Sequence, residues 1–109
     1  MIDNHELTEK VLLVAVCSSD VRITEESLDE LEELAKTAGC EVEGRVIQPR
    51  ESAHPGTYIG KGKIQEIAEM LPESDITGVI CDDELSPAQY NNLTEELNGM
   101  MAHIRKVLL

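Results

Sequence analysis

Val11-Leu12-Leu13-Val14-Ala15-Val16 is an unbroken apolar run, with no polar residue alternating through it. Such a short, Val-rich run predicts a strand buried on both faces of a parallel sheet. Ser18-Ser19-Asp20 ends it. Leu28, Leu31, Leu34, Ala35 and Ala38 then recur at helical spacing. Thr24 is the predicted N-cap, with Glu25 and Glu26 at the positive end of the helix and Gly39 as its stop. Asp29, Glu30, Glu32 and Glu33 lie on the opposite side and read as a solvated face. Val42, Gly44, Val46 and Ile47, interleaved with Glu43 and Arg45, predict a second strand at or near a sheet edge.

After a long connection, Ile64, Ile67, Ala68 and Leu71 fall at i, i+3, i+4 and i+7, an amphipathic helix that Pro72 closes. Ile76-Thr77-Gly78-Val79-Ile80-Cys81 predicts a third, central strand, ended by Asp82-Asp83-Glu84. Ser86-Pro87-Ala88-Gln89 has the form of a capping box with proline at the first helical position. Tyr90, Leu93 and Leu97 form that helix's apolar stripe, and Gly99 is its predicted end. Met101 to Leu108 predicts a last strand.

The order β-α-β-α-β-α-β demands parallel strands and right-handed crossovers. The predicted fold is a small three-layer α/β domain. Its parallel four-stranded sheet has spatial order 2-1-3-4, with helix one on one face and helices two and three on the other. Residues 1–10 form a polar N-terminal tail and residues 11–109 the domain.

Charge changes this picture at one place. The 109 residues carry a formal charge of −13, which repels nucleic acid and acidic membranes at long range. From Gly44 to Gln65, however, Arg45, Arg50, Lys61 and Lys63 face only Glu51. That local balance is +3, so the remainder carries −16. Residues 48–65 also hold two of the four prolines and three of the seven glycines, the composition of a long functional loop. Two tyrosines and neither Trp nor Phe argue against base stacking as a main mode of recognition. Cys17, Cys40 and Cys81 are odd in number and not at metal-ligand spacing, and read as reduced thiols of a cytoplasmic protein. The opening residues do not read as a signal peptide, and no apolar run approaches the roughly 20 residues of a membrane span.

Candidate chemistry is sparse. In a sheet of this kind ligands bind beyond the carboxyl ends of the strands, where strand order reverses. That crevice would be lined by Cys17, Ser18, Ser19 and Asp20 opposite Asp82, Asp83 and Glu84. These carboxylates could hold magnesium, or simply lead into a capped helix. Gly60-Lys61-Gly62-Lys63 fails the spacing of a P-loop, yet its backbone amides and lysines precede a helix and could receive an anion. A Cys17–His54 nucleophile pair is conceivable, but nothing in the sequence brings the two together. No catalytic residue and no metal ligand is assigned.

Two stretches carry a more specific likeness. Tyr58-Ile59-Gly60-Lys61-Gly62-Lys63-Ile64-Gln65-Glu66-Ile67 is followed by Asp82-Asp83-Glu84-Leu85-Ser86-Pro87-Ala88-Gln89-Tyr90-Asn91-Asn92-Leu93. Together, with the Leu- and Glu-rich segment Leu28 to Gly39, they resemble the N-terminal domain of the HflX family of ribosome-associated GTPases. The likeness runs from about Val11 to Leu97. It implies a non-catalytic domain that helps engage the large ribosomal subunit and its rRNA, and that modulates a GTPase domain of a parent protein. GTP and magnesium belong to that GTPase domain in the family, and no GxxxxGK[ST] occurs in this chain. Arg50, Gly60, Lys61, Gly62 and Lys63 are the candidate RNA or anion contacts, and Tyr58, Asp82, Asp83, Leu85, Pro87 and Gln89 match family motif positions; the resemblance does not decide between RNA contact and a role in the fold for the matched positions. In the final strand the family usually has an Asp-Arg pair, where this chain has His103-Ile104-Arg105-Lys106. Two other readings stay open: a small-molecule or nucleotide-binding domain using the crevice, and a stand-alone interaction module that homodimerises through an edge strand.

Overall fold

The computed structural model describes residues 9–97 and the backbone of 104–106. Expectations falling on residues 1–8, 98–103 and 107–109 lie outside the described residues. These include most of the polar tail, Gly99 as a helix stop and the full extent of the last strand.

The first strand, β1 (Glu9–Cys17), supplies both cores. Val11 to Ala15 are all 2% exposed or less, and their alternation splits them between two apolar clusters. Val11, Leu13 and Ala15 pack with Ile80 and with Leu28, Leu31 and Ala35 of helix α1 (Val21–Thr37). Leu12 and Val14 pack on the opposite face. Their partners there include Ile64 and Ile67 of α2 (Lys61–Met70) and Leu93 of α3 (Pro87–Glu96). The helices therefore cover both faces as the apolar run implied. Glu9 and Lys10 belong to the strand, two residues ahead of that run. The Lys10 carbonyl accepts the Thr77 amide at 2.8 Å, and its ammonium meets Asp75 at 3.4 Å.

α1 begins four residues earlier than Thr24 suggested. Asp20 is the cap, its Oδ1 accepting the Arg22 amide at 2.9 Å, so Glu25 and Glu26 do not fall in the first turn. The competing cap was equally good by residue type, and Asp20 is further held by the Arg22 guanidinium at 3.0 Å. Leu34 and Ala38 fall outside the buried stripe; Leu34 is 44% exposed. Gly39 follows the helix with φ +91°, a conformation only glycine adopts without a Cβ clash.

β2 (Cys40–Pro49) runs parallel to β1 from Glu9↔Cys40 to Cys17↔Pro49. It is the edge strand, as its half-polar pattern predicted. From it Arg45 reaches Asp29 at 2.7 Å and Glu32 at 3.1 Å, so part of α1's acidic face is clamped to the sheet. β3 (Gly78–Cys81) is wholly buried and pairs with β1 on the other side, Val11↔Gly78 to Val14↔Cys81. It is shorter than expected, because Ile76 and Thr77 precede it as an approach segment. The result is a parallel α/β sheet in the order β2-β1-β3. The segment β4 (Ile104–Lys106) runs parallel to β3 in the register Val79↔Ile104 to Cys81↔Lys106.

α2 starts at Lys61, and Pro72 sits within a short 3-10 turn (Leu71–Glu73) rather than ending the helix outright. α3 opens on the predicted capping box. Ser86 Oγ accepts the Gln89 amide at 3.1 Å, and Gln89 Oε1 accepts the Ser86 amide at 2.9 Å.

Candidate functional site

Because β1, β2 and β3 are parallel and each is followed by a helix, α1, α2 and α3 begin at the carboxyl edge of the sheet. β2 reaches its helix only through residues 50–60, a strap that crosses this edge. The strap is anchored at both ends. At one end the Arg50 amide donates to the Cys17 carbonyl at 2.9 Å. At the other, the Gly60 amide donates to Gln48 Oε1 at 2.7 Å. A Cβ on Gly60 would lie 3.0 Å from an Arg50 guanidinium nitrogen and 3.1 Å from Gln48 Nε2, so glycine permits this close approach.

The middle of the strap is a tight turn. His54 and Tyr58 exchange backbone hydrogen bonds at 2.9 and 2.8 Å. Inside the turn His54 Nδ1 accepts the amides of Gly56 at 2.9 Å and Thr57 at 3.2 Å, which places the ring proton on Nε2. α3 grips the outside. Gln89 Nε2 donates to the His54 carbonyl at 2.8 Å, and Asn92 Nδ2 donates to the Gly56 carbonyl at 2.9 Å. One glutamine side chain thus closes the helix cap with its oxygen and holds the strap with its nitrogen.

Tyr58 is 1% exposed and has φ +70°, the one described non-glycine residue in the left-handed region. Its ring joins the apolar cluster beneath α2 and α3. Its hydroxyl bridges the ends of two strands, accepting the Val16 amide at 3.3 Å and donating to Asp83 Oδ2 at 2.6 Å. Burial and the Asp83 carboxylate both push the phenol's pKa far up, so it stays a donor. The crevice between β1 and β3, the expected ligand position, is therefore bridged by the chain's own tyrosine.

The candidate residues separate by role. Tyr58, Ile59, Gly60, Ile64 and Ile67 of the first motif are buried, as is Leu85 of the second. Pro87 begins α3 and Gln89 caps it. Lys61 and Gly62 are exposed at the start of α2, and no atom lies within 4 Å of a Cβ built on Gly62. Lys63 is held by Glu66 at 3.0 Å, and Arg50 Nε is turned to the Ser52 carbonyl at 3.0 Å. Among the described residues no ion pair engages Lys61 or Arg50.

Asp83 serves Tyr58, whereas Asp82 is half-buried with Oδ1 unpaired among the described residues. Burial, and to a lesser extent Asp83 and Glu30, raise its pKa, while Ser27 opposes them. Among the described residues no three His, Cys, Asp or Glu side chains converge as a metal site. The Cys17 thiol points to the Ser19 carbonyl at 3.8 Å, and His54 Nδ1 is occupied by the turn, so no hydrogen bond joins them. Burial pushes the Cys81 thiol up to about 12, leaving it inert in the sheet. Sequence reasoning missed Gln48 and Asn92, which act through single side-chain bonds to distant backbone and leave no periodic signal.

A family model described as GTP-binding GTPase N-terminal matches residues 25–107. A GTPase HflX from Lacrimispora saccharolytica is 51% identical over 109 residues, covering 100% of this chain and 26% of the relative. That from Alkalihalophilus pseudofirmus is 46% identical over 95 residues, covering 87% and 22%. That from Escherichia coli is 34% identical over 93 residues, covering 85% and 22%. The chain spans about a quarter of the length of these relatives. A crystal structure of an SsGBP variant superposes with TM-score 0.64 at 21% identity, covering 90% of this chain and 28% of that one, a likeness of fold. Among the described residues no helix is long and apolar enough to cross a membrane.

Proposed function

The chain belongs to the HflX GTPase family as an N-terminal domain, and from that premise we propose that it is a non-catalytic, cytoplasmic module of a longer GTP-binding protein. It helps engage the large ribosomal subunit and modulates the GTPase domain. GTP and magnesium are cofactors of that other domain. In the complete protein the sheet has four strands in the order 2-1-3-4, the parallel register of β4 supporting this.

One observation carries the ribosomal reading. The strap crosses the edge where three helices begin, and where it ends Lys61 stands exposed beside the amides of α2's first turn. Positive charge and helix-terminal amides are what a phosphate backbone engages. Lys61 is the principal contact, and Lys63 contributes when phosphate displaces Glu66. Arg50 adds charge at the strap's start. The nucleotide-binding reading lacks comparable support, because Tyr58 bridges the crevice it would use. Homodimerisation through the β2 edge is a competing use of the surface, and light scattering over a concentration range tests it.

The test is co-sedimentation of the chain with purified large ribosomal subunits at low and moderate salt. Salt-sensitive pelleting that is lost in Lys61→Ala/Lys63→Ala supports the start of α2 as the contact. Pelleting indifferent to both salt and the double substitution overturns it.

A further inference from the structure

We propose that the strap is a proton-operated latch, closed while His54 Nδ1 is a lone-pair acceptor and released when the imidazole becomes doubly protonated. The turn is built on that nitrogen. The Gly56 and Thr57 amides converge on it at 2.9 and 3.2 Å, satisfying two backbone donors that the chain reversal would otherwise strand. A proton on Nδ1 converts the acceptor to a donor and sets three N–H groups against one another. Turning the ring over presents carbon to the amides, so no rotamer of the cation restores the bonds.

From α3 the strap is met by Gln89 and Asn92, both neutral and both donating to strap carbonyls. The charged neighbours along the strap are Arg50, bonded to the Ser52 carbonyl, and Glu51, which is exposed. Beyond Tyr58 stands Asp83, committed to the phenol at 2.6 Å. Among the described residues no carboxylate lies within 4.0 Å of a His54 ring nitrogen. The imidazolium therefore loses two hydrogen bonds and gains no ion pair.

The consequence extends past the turn. Tyr58 holds φ +70° because the turn fixes its backbone to His54. Releasing Gly56 and Thr57 frees the short link between those two bonded backbones and loosens the seat of the phenol at the ends of β1 and β3.

The experiment is a titration of the 109-residue chain from about pH 8 to about pH 5, the imidazole range. Ring and amide nitrogens are followed by NMR, and exchange protection is corrected for intrinsic rate. The expected result at high pH is an unprotonated Nδ1 on His54. As the ring titrates, protection of the Gly56 and Thr57 amides should fall about tenfold or more, the loss of two hydrogen bonds. Tyrosine fluorescence should change with it. His54→Asn keeps an acceptor near the Nδ1 position without titrating, and should abolish the change while His5 and His103 still titrate. A proton on Nδ1 at high pH, constant protection of both amides, or a change that persists in His54→Asn each overturns the proposal. The ring assignment needs no variant, so it decides even if His54→Asn fails to fold.

Discussion

The Tyr58 hydroxyl donates to Asp83 Oδ2 at 2.6 Å across twenty-five residues of sequence, joining the first family motif to the second. The tyrosine end of this bond also holds β1, because the same oxygen accepts the Val16 amide. Tyr58→Phe keeps the ring in the core and removes only the hydroxyl. It should cost about 1–3 kcal/mol, since a part-buried amide and a carboxylate lose their partner together. Urea denaturation monitored by circular dichroism measures this, and a loss below about 0.5 kcal/mol would show the bridge to be incidental.

Gln89 separates two tasks that a single substitution can split. Gln89→Glu retains an oxygen for the Ser86 amide and so preserves the capping box. A carboxylate has no hydrogen to give the His54 carbonyl. The helix should therefore persist while the Tyr58 amide, bonded to His54 at 2.8 Å, exchanges faster. Gln89→Ala removes both bonds and should destabilise more, by about 1–3 kcal/mol for two neutral hydrogen bonds.

Gly60 and Gly62 look alike in sequence and differ in cause. Gly62→Ala, with open space around its Cβ in α2, should raise stability by about 0.5–1 kcal/mol. If backbone approach to phosphate is the reason for glycine there, the same variant should weaken ribosome pelleting while melting at a higher temperature. Gly60→Ala should instead lower the melting temperature, because Arg50 and Gln48 must move.

Alkaline titration has a defined sign. The pKa of Cys81 is raised from 9.0 to about 12 in the fold, and that of Tyr58 is raised above 10.0. Stability from both groups is full below the ordinary thiol and phenol ranges. It falls as pH rises through them, since the unfolded chain loses its protons first. For Cys81 the window runs from about 9 to about 12, at about 1.4 kcal/mol per pH unit. Cys81→Ala should flatten the slope that begins near pH 9 and leave the one that begins near pH 10. Denaturant midpoints measured at intervals across this range test it.

The apolar run Val11–Val16 by itself determined a strand buried on both faces, and with it a parallel sheet between two helical layers. The capping box at Ser86 and the stop at Gly39 were equally legible, because each depends on residues within four positions of one another. The start of α1 was not, since Asp20 and Thr24 are alternative caps by residue type and the turn between them is exposed, leaving no apolar periodicity to choose between them. The family motifs were visible as residues but not as roles. Tertiary structure alone decided that Tyr58 bridges the crevice, that Gln89 holds the strap as well as the helix, and that Glu66 already pairs with Lys63 while Lys61 stands open. Periodicity records which side chains leave water; a single hydrogen bond between residues 25 or 35 positions apart leaves no repeat in the sequence to be read.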